Sequence, residues 1–375
     1  MGTSQSTKEQ RLRDAEKDVL TFGASWFASS HQRAAKVSFE YSDVRTKNNR
    51  TVHTVKCVKS AAASDVEFKE SKGSQQQREP LVLLHGYGGG VGNFYAVLPN
   101  LAEKWTGAVY ALDCYGCGIS SRPSCNTTDR VKMENLMVEE LELWRKAMGI
   151  ERFSVLGHSM GGYIAACYAE RYPKRVEVLF LASPAGIPDE PKGWSESLKE
   201  KMGIKASVAL YLWRKGWSPF AAVRAADIFG RGKGFIEKYV ARRYEKGTPW
   251  SCPKLLVEYI HANFSRSPSA GDYTHAAFLK PGAWAKAPLS HRIPSMKIRK
   301  IVFLYGDHDW MNPQHAKDLM DRMKKNEGST TSSSRRLEIR EVRNAGHNLN
   351  IDNPIGFVRQ LFHALKSVEE KDDTQ

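Results

Sequence analysis

The stretch Phe153-Ser-Val-Leu-Gly-His-Ser159-Met-Gly-Gly-Tyr163 places a hydroxyl where chemistry could use it. Phe153, Val155 and Leu156 form the short apolar run of a buried strand. Tyr163 to Tyr172 reads as a helix stopped by Pro173. Between them, Gly157, Ser159 and Gly161 give Gly-x-Ser-x-Gly, whose glycines allow a strained serine turn with strand and helix close by. A serine hydroxyl attacks poorly until a base takes its proton. The candidate base is His347, in Asn344-Ala-Gly-His347 after an apolar strand; His158 and His308 are weaker candidates. An acid must then orient the imidazole and stabilise its charged form. Tyr305-Gly-Asp-His-Asp-Trp310 offers two, Asp307 and Asp309. Finally, His85-Gly-Tyr-Gly-Gly-Gly90 follows another strand. Its glycines let backbone N–H groups approach a substrate oxygen, and the N–H groups of Tyr87 and Met160 are the expected oxyanion donors.

These pieces have to be held by a repeating scaffold. Apolar runs at 81–84, 108–112, 153–156, 176–182, 301–305 and 337–342 alternate with helical stretches at about 93–104, 131–148, 160–172, 313–326 and 354–368. Alternating strands and helices predict an α/β fold, a mostly parallel sheet with helices on both faces. The four chemical features all fall at carboxyl ends of strands, where open α/β sheets bind ligands. Residues 36–59 alternate like a hairpin turning near Asn48-Asn49. Residues 186–295 lack strand patterning, hold five of the nine tryptophans (194, 213, 217, 250, 284) and read as an inserted helical cap. The expected organisation is an N-terminal segment 1–35, a core of 36–185 and 296–368, the cap 186–295, and a disordered acidic tail 369–375. Residues 60–79 and 327–334 read as polar loops.

Composition narrows the function classes. The chain has 375 residues, 41% hydrophobic and 26% charged, which suits a large globular domain with an insertion. No window of about 18 apolar residues exists, so no membrane-spanning helix is expected. The first residues carry no apolar core, so no secretory signal is expected. Six scattered cysteines do not suggest a disulfide framework. Cys114-Tyr-Gly-Cys117 has metal-ligand spacing but no second pair to complete a site, so no metal is expected. The net charge of +15 suits an anionic partner. With no nucleic-acid motif and the charge spread along the chain, a phospholipid surface fits better than nucleic acid. Met1-Gly2 with Ser6 matches the N-myristoylation pattern. Leu12, Ala15, Val19, Leu20, Phe22, Trp26 and Phe27 recur at helical spacing, a face for either a bilayer or the domain.

Taken together, 81–90, Gly157-His-Ser-Met-Gly-Gly162, Gly116-Cys-Gly-Ile-Ser-Ser-Arg-Pro123, Pro268-Ser269 and Gly282-Ala-Trp-Ala-Lys286 resemble one α/β-hydrolase-domain subfamily. It contains a lipid-droplet lipase co-activator, an N-acyl-phospholipid lysophospholipase, and plant and fungal relatives. The resemblance runs from the N-terminal helix to about residue 365. It implies the α/β-hydrolase fold, with the chain order Ser159, Asp309, His347. The usual Gly-x-x-Asp spacing selects Asp309, leaving Asp307 to hold its loop. The co-activator has asparagine in place of the nucleophile, whereas this chain keeps Ser159. Cys117 stands where the subfamily usually carries an aromatic.

The expected activity is a serine lipid hydrolase cleaving acyl esters of (lyso)phospholipids or acylglycerols, with no cofactor. The subfamily also shows His-x-x-x-x-Asp, here His347 and Asp352, on which relatives have been assigned lysophosphatidate acyltransferase activity. That alternative would use acyl-CoA as co-substrate. Asp352-Asn-Pro354 also reads as the cap of the last helix, the role favoured for Asp352. A further alternative is a scaffold on lipid droplets that regulates another lipase. The expected location is cytoplasmic, peripheral to a membrane or lipid droplet; protein partners are not specified.

Overall fold

A hairpin opens the sheet: β1 (Val37–Arg45) pairs antiparallel with β2 (Thr51–Lys59). Asn49, at φ 60°, makes the turn between them, a conformation asparagine tolerates better than most residues. The computed structural model describes residues 4–30, 36–59, 77–244, 247–327 and 337–372. Six strands follow: β3 (Leu81–Leu84), β4 (Val109–Leu112), β5 (Phe153–His158), β6 (Val176–Ala182), β7 (Lys300–Gly306) and β8 (Leu337–Val342). Their spatial order is β1-β2-β4-β3-β5-β6-β7-β8. β2 meets β4 antiparallel, and every pairing from β4 to β8 is parallel. The central strands are predominantly apolar because helices cover both of their faces. Val82 and Leu84 belong to one apolar core, Leu81 and Leu83 to the other, as a period of two requires.

One face is covered by α1 (Gln5–Ser30), α2 (Leu98–Lys104) and α14 (Pro354–Asp372), the other by α3 (Arg130–Ala147), α4 (Met160–Arg171) and α12 (Gln314–Glu327). The helix expected over 93–104 starts later. Val91–Phe94 is a 3-10 turn and α2 begins at Leu98, because Pro99 is tolerated only in a first helical turn. The tail expected to be disordered is helical as far as Asp372; Glu369, Glu370 and Lys371 are good helix formers. The loops expected at 60–79 and 327–334 lie almost wholly outside the described residues, as does Gly2.

The apolar face of α1 has a different partner from a bilayer. Leu12, Val19, Leu20 and Phe27 are at most 1% exposed, and the first three join the core shared with α9 (Pro253–Phe264) and the Val91–Phe94 turn. Gly23 passes so close to Tyr95 that a Cβ there would lie 2.1 Å from its carbonyl oxygen. Stripping this face from the domain would forfeit roughly 1.5–3 kcal/mol per buried large side chain. Polar anchors add to it. His53 Nε2 lies 2.8 Å from Glu16 Oε1, and His53 Nδ1 lies 2.7 Å from Asp43 Oδ1. Burial pushes the His53 imidazole down, but the two flanking carboxylates outweigh it and the net shift is upward. Of the two uses left open for this helix, packing on the domain is the one observed.

The cap between β6 and β7 is helical: α5 (Trp194–Met202), α6 (Ile204–Arg214), α7 (Pro219–Asp227), α8 (Gly232–Tyr244), α9, α10 (Ala270–Phe278) and α11 (Leu289–Arg292). One isolated bridge, Leu279 to Ala285, is added. α13 (Leu349–Asp352) sits between β8 and α14. All six cysteines are free thiols.

Candidate active site

The turn between β5 and α4 forces Ser159 into φ 52°, ψ −115°. For a residue other than glycine this costs on the order of 1–3 kcal/mol, and the surroundings hold it there. Ser159 N–H donates to the Ala182 carbonyl at 2.9 Å, and its own carbonyl accepts Ala185 N–H at 3.0 Å. The flanking glycines are steric necessities: a Cβ on Gly157 would lie 2.3 Å from Gly161 O, and one on Gly161 would lie 2.3 Å from Leu84 O.

His347 reaches the serine from the loop after β8. Its Nε2 lies 3.0 Å from Ser159 Oγ, and its Nδ1 lies 3.1 Å from Asp309 Oδ1. Asp309 Oδ1 also accepts the Met311 N–H at 2.9 Å. The Asp309 side chain is fully buried and that of His347 is 13% exposed. Burial pushes the Asp309 carboxyl up, but the hydrogen bond and charge of His347, with help from Ser183 and Met311 N–H, leave it below the usual range. A carboxylate there fixes the tautomer with Nδ1 protonated and Nε2 free to accept the serine proton. The three residues chosen from the sequence are therefore brought together, and Asp307 is not. Asp307 accepts the backbone N–H groups of Asn344 and Ala345 at 2.9 and 3.0 Å, shaping the loop that presents His347.

Two further residues fix His347. His158 Nε2 lies 2.8 Å from the His347 carbonyl oxygen. Burial, and then the neighbouring His347, push its pKa down to about 3, so it is a neutral donor that holds the loop. Trp310, 61% exposed, has its ring centroid 5.2 Å from that of His347. Sequence reasoning weighed His158 only as a base and passed over Trp310, although both adjoin chosen residues.

The glycine loop after β3 closes against the serine. A Cβ on Gly86 would fall 3.1 Å from Ser159 Cβ, which brings the Gly86–Tyr87 backbone next to the hydroxyl. Met160 is the first residue of α4, so its N–H has no intrahelical acceptor. The Tyr87 ring stacks on Phe220 of the cap at 4.8 Å, and its hydroxyl is within reach of Ser218 Oγ and the Asp272 carbonyl. The cap is thereby tied to the loop. Cys117 faces the cap too: a Cβ on Gly271 would lie 2.5 Å from its Sγ.

Asp352 is not the cap of the last helix. That role belongs to Asn353, whose Oδ1 accepts Gly356 N–H at 2.8 Å in the first turn of α14. Asp352 closes α13, is 7% exposed, and accepts Gly346 N–H at 2.8 Å. The error came from taking the first of two side chains able to cap; Pro354 at the first helical position makes Asn353 the cap. Since Gly346 precedes His347, Asp352→Ala is expected to lower kcat/KM about tenfold, the effect of stranding one buried donor. Asp352→Asn, which keeps an acceptor, should stay within about threefold. Far-UV circular dichroism should show α14 intact in both. Equal activity of Asp352→Ala and wild type would remove this positioning role.

The sequence pattern of the α/β hydrolase fold matches residues 79–354. The chain belongs to the α/β-hydrolase fold family. Among curated relatives, it is 32% identical over 299 residues to the rice "Probable 1-acylglycerol-3-phosphate O-acyltransferase", covering 78% of this chain and 68% of that one. It is 31% identical over 299 residues to the human "(Lyso)-N-acylphosphatidylethanolamine lipase", covering 79% and 80%. The resemblance to this subfamily therefore holds. A crystal structure of a membrane phospholipase A superposes with a TM-score of 0.58 at 21% identity over 94% of this chain and 92% of that one, a likeness of fold. Among the described residues no helix is long and apolar enough to cross a membrane.

Proposed function

We propose that this chain is a serine esterase that cleaves acyl esters of (lyso)phospholipids or acylglycerols through an acyl-enzyme on Ser159. The observation that carries the reading is the continuous line from Ser159 Oγ through His347 to Asp309, with both links near 3 Å. Ser159 Oγ attacks the ester carbonyl while His347 Nε2 takes its proton. The resulting oxyanion lies beside the N–H groups of Tyr87 and Met160, and the dipole of α4 adds favourable charge. His347 returns the proton to the leaving alcohol, and the acyl group stays on Ser159. Water, deprotonated by His347, then releases the fatty acid.

The acyl-transfer alternative shares the first half. With acyl-CoA, the thioester would acylate Ser159 and release the CoA thiol; a lysophospholipid hydroxyl would then replace water. Relatives bear both kinds of name, so the second reading is kept. The contact of Asp352 with Gly346 gives the His347–Asp352 motif a place in holding the histidine, which serves either reaction. A non-catalytic scaffold role would leave the serine line without a use.

The enzyme is proposed to work at the surface of a membrane or lipid droplet. Support comes from the cap instead of α1. Ile204 on α6 and Ile228 and Phe229 in the turn between α7 and α8 are 81%, 79% and 78% exposed, with exposed Lys205 beside the first, Arg231 in the same connection and Lys238 on α8. Basic residues near anionic lipid contribute about 1 kcal/mol each, and an N-myristoyl group on Gly2 would add a second, individually marginal anchor.

One experiment tests these points together. Purified chain is incubated with mixed phospholipid vesicles, with and without acyl-CoA, and with a short soluble ester. Free fatty acid and lysophospholipid are the expected products. Phe229→Ser is expected to slow vesicle turnover severalfold and to leave the soluble ester unaffected. Phosphatidate formed only with acyl-CoA, without fatty acid release, would favour acyl transfer. Equal vesicle rates for Phe229→Ser and wild type would remove the cap from the surface contact.

A further inference from the structure

Arg122, Arg152, Arg266 and Arg243 each keep a buried nitrogen without a hydrogen-bond partner, but the first three are paired with carboxylates and Arg243 has no ion pair among the described residues. Arg224 and Arg122 pair with Asp272, Arg266 with Glu9, and Arg292 with Glu134 and Glu170. Arg243, near the end of α8, keeps one nitrogen, Nη2, buried with no hydrogen-bond partner among the described residues. A buried charged donor without an acceptor is costly, and such a group is satisfied when an anionic ligand arrives. Its position says which ligand. Nη1 lies 3.5 Å from where a Cβ on Gly346 would be, one residue from His347. The charge also acts on His158, the residue that holds the His347 carbonyl. One and two turns back along α8, Tyr239 and Phe235 are 38% and 56% exposed. That face of the helix thus leads from the surface towards the catalytic histidine.

We infer that Arg243 is a specificity-determining residue that holds a phosphate group on the glycerol backbone next to the ester attacked by Ser159. The inference rests on the serine-esterase reading above. A guanidinium presents two parallel N–H groups to a phosphate and remains charged at any working pH. The substrates favoured would be acylglycerol phosphates and lysophospholipids over neutral acylglycerols. The other groups facing Gly346 are the Asp352 carboxylate, which accepts the Gly346 N–H, and the His308 carbonyl oxygen. A purely structural role for Arg243 would run through them and would not sense the substrate head group.

The test compares wild type, Arg243→Gln and Arg243→Lys on a 1-acylglycerol 3-phosphate and the 1-acylglycerol of the same chain. In Arg243→Gln the ratio of kcat/KM, phosphate over neutral, is expected to fall about 10- to 100-fold. The loss should sit in KM, and Arg243→Lys should recover part of it. An unchanged ratio, with either both substrates or neither affected, would overturn the inference. A second measurement separates it from the serine-esterase reading. Glycerol 3-phosphate, and not glycerol, should slow fluorophosphonate labelling of Ser159 in wild type and have little effect in Arg243→Gln. Equal slowing in the two proteins defeats the Arg243 assignment alone. Absence of labelling in wild type defeats the esterase reading beneath it.

Discussion

Ser159→Ala is expected to remove essentially all esterase activity while leaving the fold intact. The loss should be on the order of 10⁶ in kcat, as for the nucleophile of a well-studied serine protease. The reason is covalent. Among the described residues, the hydroxyl within reach of His347 Nε2 is that of Ser159, at 3.0 Å, and without it no acyl-enzyme can form. The remaining oxyanion donors could stabilise only direct attack by water, which is a far slower route. The fold should tolerate the change, because alanine keeps the Cβ and loses only an Oγ that hydrogen-bonds to His347. Strain at φ 52° is the same for both residues. The check is steady-state hydrolysis of a short ester, with thermal unfolding measured alongside. Retention of more than a few per cent of activity in a protein with unchanged Tm would move the nucleophile elsewhere.

Asp309→Asn is expected to be nearly as damaging, with kcat falling on the order of 10⁴. An amide in place of the carboxylate can donate to His347 Nδ1, which stabilises the wrong tautomer and leaves Nε2 protonated towards the serine. It also removes the charge that stabilises the imidazolium. Asp307→Asn is expected to cost less than tenfold, since its bonds run to the backbone of Asn344 and Ala345 and an amide oxygen can accept one of them. Kinetics of the two variants side by side decide the matter, and the reverse ranking would make Asp307 the acid.

Much of this arrangement is legible in the sequence, for physical reasons. The strands at 81–84, 153–156 and 301–305 are almost wholly apolar, with Ser154 the plainly polar exception, because both faces of a parallel sheet are covered. Polar residues directly after such runs then stand out, which is how Ser159, Asp309 and His347 could be picked. Helix ends were less legible. Asp352 and Asn353 are both good caps by residue type, but in the fold the first turns back to Gly346 and the second caps α14. The face of α1 was ambiguous for a related reason. Apolar spacing records that a surface is buried and not what buries it, and here the cover is α9 and the Val91–Phe94 turn. Arg243 was invisible because nothing local marks it. Its place beside Gly346 arises from the packing of the cap on the core, across about a hundred residues of sequence.

The central claim is that Ser159 carries the acyl group, and one measurement addresses it most directly. Wild-type protein is treated with a fluorophosphonate, digested, and mapped by mass spectrometry. The arrangement of Ser159, His347 and Asp309 predicts a single stoichiometric adduct on the peptide containing Gly157-His-Ser159, absent from Ser159→Ala and strongly slowed in Asp309→Asn. An adduct on another residue, or rapid labelling of folded Ser159→Ala, would contradict it.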